Sequence, residues 1–208
     1  MDDQKKILSL FSIEVSTEQV GIDKEELKYI KNDINEIASN GLKLDYEEPV
    51  ITSYHSITTL QHHPEFETLA NTLTDRAIKY AEKFLDFDIE NFSLNLNEMW
   101  FQIYKKGMYH PMHNHGNILI SGAYYIQAPK NSADFIIRHP IHYALRDYPR
   151  NKKINSSKNI KESVPIKPET DMLILFPGWL DHRTSRHTSD EDRIMISCNW
   201  SFRKNIGK

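Results

Sequence analysis

The chain has one cysteine, Cys198, among 208 residues. No intrachain disulfide can form, and so few thiols fit a reducing cytosol. No base flanks Cys198, which therefore reads as a small buried hydrophobe in a strand. Long apolar runs are missing as well. None approaches the roughly 20 residues that cross a bilayer, so no membrane partner is expected. The N-terminal residues lack the charged, apolar and small-residue pattern of a secretory signal, and a cytoplasmic location is expected. A large excess of one charge is also absent. The formal net charge is −3, which makes no overall case for nucleic acid. There is no Gly-rich phosphate loop and no strand–helix alternation, which argues against a dinucleotide fold. No internal repeat is present.

What is present fits an ordinary soluble globular protein, 39% hydrophobic and 26% charged. The length suits a single domain over 1–208, with a helical part at 1–90 and a β part at 91–203. Residues 7–15 alternate loosely and read as a first strand. Asp23 and Glu26 form a capping-box pattern. Leu27, Ile30, Ile34 and Ile37 then line one helix face, and Asn40-Gly41 closes the helix. Pro64 opens a second helix, with Leu69, Leu73, Ala77, Tyr80, Phe84 and Leu85 on its stripe, running to about Phe87. Both stripes read as faces packed on a sheet. Short runs rich in β-branched and aromatic residues follow: Phe92 to Ile103, Ile118 to Ile126, Asp134 to Arg138, Met172 to Phe176 and Arg193 to Phe202. That is the pattern of a barrel or sandwich. A basic loop at 146–163 interrupts it. Between Arg146 and Lys161 it carries six basic residues and one acid, Asp147. It reads first as a solvated insert and second as a docking surface for an anion.

The densest chemistry lies between Gly107 and His115, where His110, His113 and His115 fall within six residues. Residues i and i+2 of an extended strand share a face. His113 and His115 would therefore converge on one point, as a first-row transition metal requires. His182, behind the apolar run Met172 to Pro177, would supply a third ligand from a neighbouring strand end. His110, next to Pro111, reads as flanking the turn. His187 reads as a loop residue. His139 and His142 bracket the insert, where they either line a substrate mouth or sit exposed. Trp100 and Trp179 read as core or rim packing. Arg193 begins the last strand run, where an inward arginine needs an anion. A bound carboxylate and a salt bridge to Asp190, Glu191 or Asp192 weigh evenly.

Several motifs then stand in order: Tyr104-Lys-Lys-Gly107, His113-Asn-His115, Ser121-Gly122-Ala123-Tyr124-Tyr125, Leu175-Phe-Pro-Gly-Trp-Leu-Asp-His182 and Arg193-Ile-Met-Ile-Ser-Cys-Asn199. This order resembles the 2-oxoglutarate- and Fe(II)-dependent oxygenases. More narrowly, it is similar to an oxygenase group of marine bacteria and their phages with the pattern H-x-H, S-G-x-Y-Y, F-P-x-x-L-x-H and R-I-x-I-x-x-N. The resemblance covers about residues 97 to 202. It implies a double-stranded β-helix, a cupin-like jelly roll, with flanking helices packed on its sheet. It implies Fe(II), 2-oxoglutarate and O2, and hydroxylation of a small-molecule or peptide substrate with release of succinate and CO2. The matching metal positions are His113, His115 and His182. His115 stands where the wider superfamily has a carboxylate, and the narrower group shares that histidine. Arg193 matches the arginine for the distal carboxylate of 2-oxoglutarate, and Tyr104 a strand tyrosine that contacts it. Met195 stands where many relatives carry a hydroxyl, so Tyr125 or Asn199 is expected to supply that contact. A three-histidine dioxygenase that uses no 2-oxoglutarate and a silent metal-binding jelly roll stay open as alternatives. A homodimer also stays open.

Overall fold

In the computed structural model, which describes residues 12–40, 50–145 and 161–205, the elements follow in this order. β1 (Ser16–Gln19) precedes α1 (Lys24–Ser39), β2 (Ile51–Thr52) and α2 (Pro64–Phe84). Next come β3 (Phe92–Tyr104), β4 (Ile120–Gln127), β5 (Phe135–Arg138) and the one-turn α3 (His142–Leu145). β6 (Ser163–Ile166), β7 (Met172–Pro177), β8 (His182–Thr184) and β9 (Arg193–Lys204) complete the described chain.

The helices form where their caps and stripes direct. The Asp23 carboxylate accepts from the N–H groups of Glu25 and Glu26 at 2.9 and 3.0 Å. These donors have no partner within the helix. α1 buries Leu27, Ile30 and Ile34, and Asn40 caps its end. α2 carries Pro64 in its first turn and buries Phe66, Leu69, Leu73, Ala77 and Tyr80. It ends at Phe84 rather than about Phe87. The strand expected at 7–15 is described only over its last four residues. Residues 1–11 lie outside the described residues, and 12–15 carry no strand. The polar β1 forms instead because it pairs antiparallel with β7, Ser16 opposite Leu175. Pairing overrides its weak intrinsic pattern. The basic loop lies outside the described residues up to 160, and its last residue, Ser163, begins β6.

The strands make two antiparallel sheets, a larger one in the order β1-β7-β4-β9-β3-β2 and a smaller one in the order β6-β5-β8. An isolated antiparallel bridge between His113 and His182 adds one more rung to the smaller sheet. The four central strands β7-β4-β9-β3 face this smaller sheet as the two walls of a jelly roll. Alternation along each strand then divides the core. Phe101, Tyr124, Leu175, Ile196 and Trp200 pack with α1 and α2 on one face. Tyr104, Tyr125, Phe176 and Met195 pack with Phe135 on the other. The second group is the floor of the site. No helix among the described residues is long and apolar enough to cross a membrane.

Two motif glycines are close-approach positions. A Cβ on Gly122 would lie 2.8 Å from the ring of Trp200, which anchors the sheet on α2 by donating from its indole N–H to Thr74 Oγ1 at 3.2 Å. A Cβ on Gly178 would collide with the Ile118 carbonyl.

Candidate metal centre

His113, His115 and His182 converge. One ring nitrogen of each lies within 4.8 Å of the others, and no further His, Cys, Asp or Glu joins them among the described residues. The backbone route differs from the extended strand expected for Ile118 onward. β4 begins only at Ile120. His113 sits on its bridge to His182, and a turn follows in which Asn114 Oδ1 accepts from Gly116 N–H at 3.1 Å, with Gly116 at φ +51°. The His115 N–H donates to the Gly178 carbonyl at 2.8 Å. Asn114 Nδ2 donates to Asp181 Oδ1 at 2.8 Å. The H-x-H turn is thus stitched to the β7–β8 turn on both sides of His115, and the i, i+2 pair converges without a regular strand.

Two hydrogen bonds settle tautomers. His113 Nδ1 faces the Pro111 carbonyl and His182 Nδ1 faces the Leu180 carbonyl, each at 2.9 Å. A carbonyl only accepts, so Nδ1 carries the proton in both rings and Nε2 keeps its lone pair for a metal. Burial, reinforced by His113, pushes His115 down to about 4. Burial and His113 likewise hold His182 well below the ordinary histidine value. Neutral imidazoles are the ligand form. Phe176 and Phe135 flank the His182 ring at 4.7 and 5.2 Å.

Behind Tyr104 and Met195, which line the cavity with the three histidines, lies Arg193, which is fully buried. The salt bridge weighed for it does not form. Asp190 instead accepts from Lys106 at 2.7 Å, and the Glu191 carbonyl takes His187 Nε2 at 2.8 Å. The guanidinium lies over the Tyr104 ring at 3.8 Å and near the Tyr125 ring at 5.5 Å. It donates to the Ala133 carbonyl at 3.0 Å and to Met195 Sδ at 3.3 Å. Its Nε and the Tyr125 hydroxyl are buried without a hydrogen-bond partner among the described residues. A buried cation beside an unused hydroxyl is costly unless an anion completes it.

The remaining expectations divide. Tyr104 and Tyr125 gather at Arg193. Asn199 does not: its Oδ1 accepts from Ser121 at 2.8 Å, its Nδ2 donates to Glu98 at 2.7 Å, and it lies six residues further along β9. Trp100 is buried beside His115, ring centroids 6.0 Å apart, and lines the cavity. Trp179 is an exposed rim residue. His187 is buried and accepts from Ala133 N–H at 3.3 Å. It thereby holds the residue whose carbonyl receives Arg193. His139 and His142 stay outside the cavity lining. His110 does line it, against the expectation that it only flanks the turn. Gln102 lines it too and was missed, although the period-two face through Trp100 and Tyr104 points to it.

Residues 98–199 match a family described as "Putative 2OG-Fe(II) oxygenase". No curated protein matches the chain. Among solved structures it is similar to HygX from Streptomyces hygroscopicus with nickel and 2-oxoglutarate bound, at 13% identity, covering 91% of this chain and 83% of that one, with a TM-score of 0.63. It is similar to the viral collagen prolyl hydroxylase vCPH from Paramecium Bursaria Chlorella virus-1 in its 2OG complex, at 13% identity, 89% and 94% coverage and a TM-score of 0.58. A Pseudomonas putida prolyl-4-hydroxylase is also similar, at 8% identity, 93% and 94% coverage and a TM-score of 0.60. Identities this low carry the fold alone.

Proposed function

We propose, from the match of residues 98–199 to the 2OG-Fe(II) oxygenase family, that this chain hydroxylates a small-molecule or peptide substrate at the cavity just described. Fe(II) with 2-oxoglutarate and O2 supplies the oxidation of a C–H bond, with succinate and CO2 as by-products. The residues present fit these groups. Three imidazoles on one face suit a first-row metal and leave its other positions open. His113 and His182 are held for this by their Nδ1 bonds to backbone carbonyls. The observation that carries the cosubstrate reading is Arg193, buried behind the cavity-lining Tyr104 and Met195, its Nε and the nearby Tyr125 hydroxyl both without a hydrogen-bond partner among the described residues. These two groups bind the far carboxylate of 2-oxoglutarate, the planar guanidinium matching its geometry. Tyr104 orients the guanidinium through its ring. Phe135 and Phe176 exclude water around His182. No side chain acts as a conventional acid or base.

Residues 1–208 act together as one domain in this reading, supported by the shared core of α1, α2 and the larger sheet. A cytoplasmic location belongs to the same proposal, supported by the single buried thiol of Cys198. Adding Fe(II) without oxygen, then 2-oxoglutarate, tests the assignment. The expected result is the visible metal-to-ligand charge-transfer band, followed by succinate release on admitting oxygen. Loaded iron without the band would overturn the use of 2-oxoglutarate.

A further inference from the structure

A fourth histidine borders the cavity, and its ring is wired oppositely to two of the three that converge. His110 stacks flat on His113, centroids 4.1 Å apart and planes 18° from parallel. Its backbone is pinned to Thr184, donating to Oγ1 at 2.7 Å and accepting from the Thr184 N–H at 3.1 Å. Its Nδ1 lies 3.1 Å from Gln102 Nε2. The direction of that bond follows from the next link. The Tyr104 hydroxyl donates to Gln102 Oε1 at 2.9 Å. The amide oxygen therefore faces Tyr104 and the NH2 group faces His110. An amide NH2 only donates, so Nδ1 of His110 accepts and its proton sits on Nε2. In His113 and His182 the proton sits on Nδ1. The rings that line the cavity thus carry two bare Nε2 atoms, in His113 and His182, and one Nε2–H, in His110. His110 also stands outside the cluster of converging ligand atoms.

Its position is as informative as its tautomer. One side of His110 touches a ring of the metal end, His113. The other joins Gln102 and Tyr104, and the Tyr104 ring carries the Arg193 guanidinium. His110 therefore lies between the two ends of the site. A cosubstrate that reaches from the three histidines to Arg193 passes it. We propose that His110 donates a hydrogen bond from Nε2–H to the metal-proximal oxygens of 2-oxoglutarate, and that Gln102 and Tyr104 are positioning residues that hold it in that tautomer. This rests on the cosubstrate reading above and adds a third protein contact to it.

The test compares wild type, His110→Ala and Gln102→Leu without oxygen, reading Fe(II) stoichiometry, 2-oxoglutarate affinity and the position of the charge-transfer band. His110→Ala is expected to keep stoichiometric iron, to weaken 2-oxoglutarate roughly tenfold, as the loss of a charge-assisted hydrogen bond does, and to move the band. Gln102→Leu leaves the imidazole in place but frees its tautomer, and is expected to weaken 2-oxoglutarate by a smaller factor. Unchanged affinity and band in His110→Ala would overturn the proposal. So would the loss of iron in that variant, which would make His110 a ligand. A wild type that binds iron but shows no band would instead overturn the cosubstrate reading itself. If His110→Ala fails to fold, Gln102→Leu carries the test alone, and unchanged affinity and band there overturn the proposal.

Discussion

His113 and His182 face each other across a closed pair of backbone hydrogen bonds, 3.0 and 2.9 Å, with ring centroids 4.2 Å apart. That pair joins the H-x-H turn to the start of β8 and makes two distant residues one structural unit. Both bonds are backbone bonds, so they survive truncation of either side chain. His113→Ala and His182→Ala are therefore expected to keep the bridge and lose the iron. Metal analysis of the folded variants checks this, and stoichiometric iron in either would remove that histidine from the ligand set.

His115 stands where a shorter carboxylate is the common ligand of the superfamily that the sequence resembles. Its backbone is held by Gly178, independently of its ring. His115→Asp is expected to retain iron, because an anionic oxygen ligand suits Fe(II) as an imidazole does. Anaerobic iron titration decides it, and an iron-free His115→Asp protein would show that the longer imidazole reach is required.

Arg193 predicts a split between stability and binding. A fully buried guanidinium with an unpartnered Nε costs the metal-free protein free energy. Arg193→Met replaces it with an apolar chain of similar length. The melting temperature of the metal-free variant is expected to equal or exceed that of wild type, while its 2-oxoglutarate Kd rises roughly 10- to 100-fold and iron binding persists. A lower melting temperature with unchanged 2-oxoglutarate affinity would make Arg193 a purely structural residue.

Gly178 is constrained by closeness rather than by φ. Its Cβ position is occupied by the Ile118 carbonyl, and its own carbonyl receives His115. Gly178→Ala must move that backbone. A loss of about 1–3 kcal/mol in unfolding free energy is expected, together with weaker iron binding through the displaced His115. Urea denaturation and iron titration read the two effects, and a variant at wild-type stability would contradict the close approach.

The neutral histidines set a pH dependence for the metal-free protein. Burial lowers His115 to about 4 and His182 well below its ordinary value. An unfolded histidine titrates near 6.5. Between these values the unfolded chain binds more protons, so stability rises with pH there and is lost as pH falls from about 6.5 toward 4. The urea midpoint of chelator-treated protein is expected to be lower at about pH 5 than at about pH 7, and the drop to be smaller in His115→Asn. A midpoint that rises on acidification would have the wrong sign.

Much of this molecule is legible in the linear chain. Caps and stripes are local, so α1 and α2 read off Asp23, Pro64 and their apolar spacings. Apolar and aromatic runs are local too, and they mark β3, β4, β7 and β9, whose residues are mostly buried. The order of the motifs around His113, His115, His182 and Arg193 carries the resemblance to the oxygenase family. Other features depended on partners far away in sequence. β1, β6 and β8 are short, β1 and β8 are polar throughout, and each exists because a neighbouring strand satisfies its backbone. That His113 meets His182 through a bridge and not a long strand, that Arg193 lies over Tyr104 and forms no salt bridge among the described residues, and that Asn199 bonds Ser121 and Glu98 are all cross-strand facts. The role proposed for His110 likewise rests on contacts to Gln102 and Tyr104 that sequence neighbours do not show. A hydrogen bond depends on distance and direction between groups, and those are set only when the strands that carry them pair.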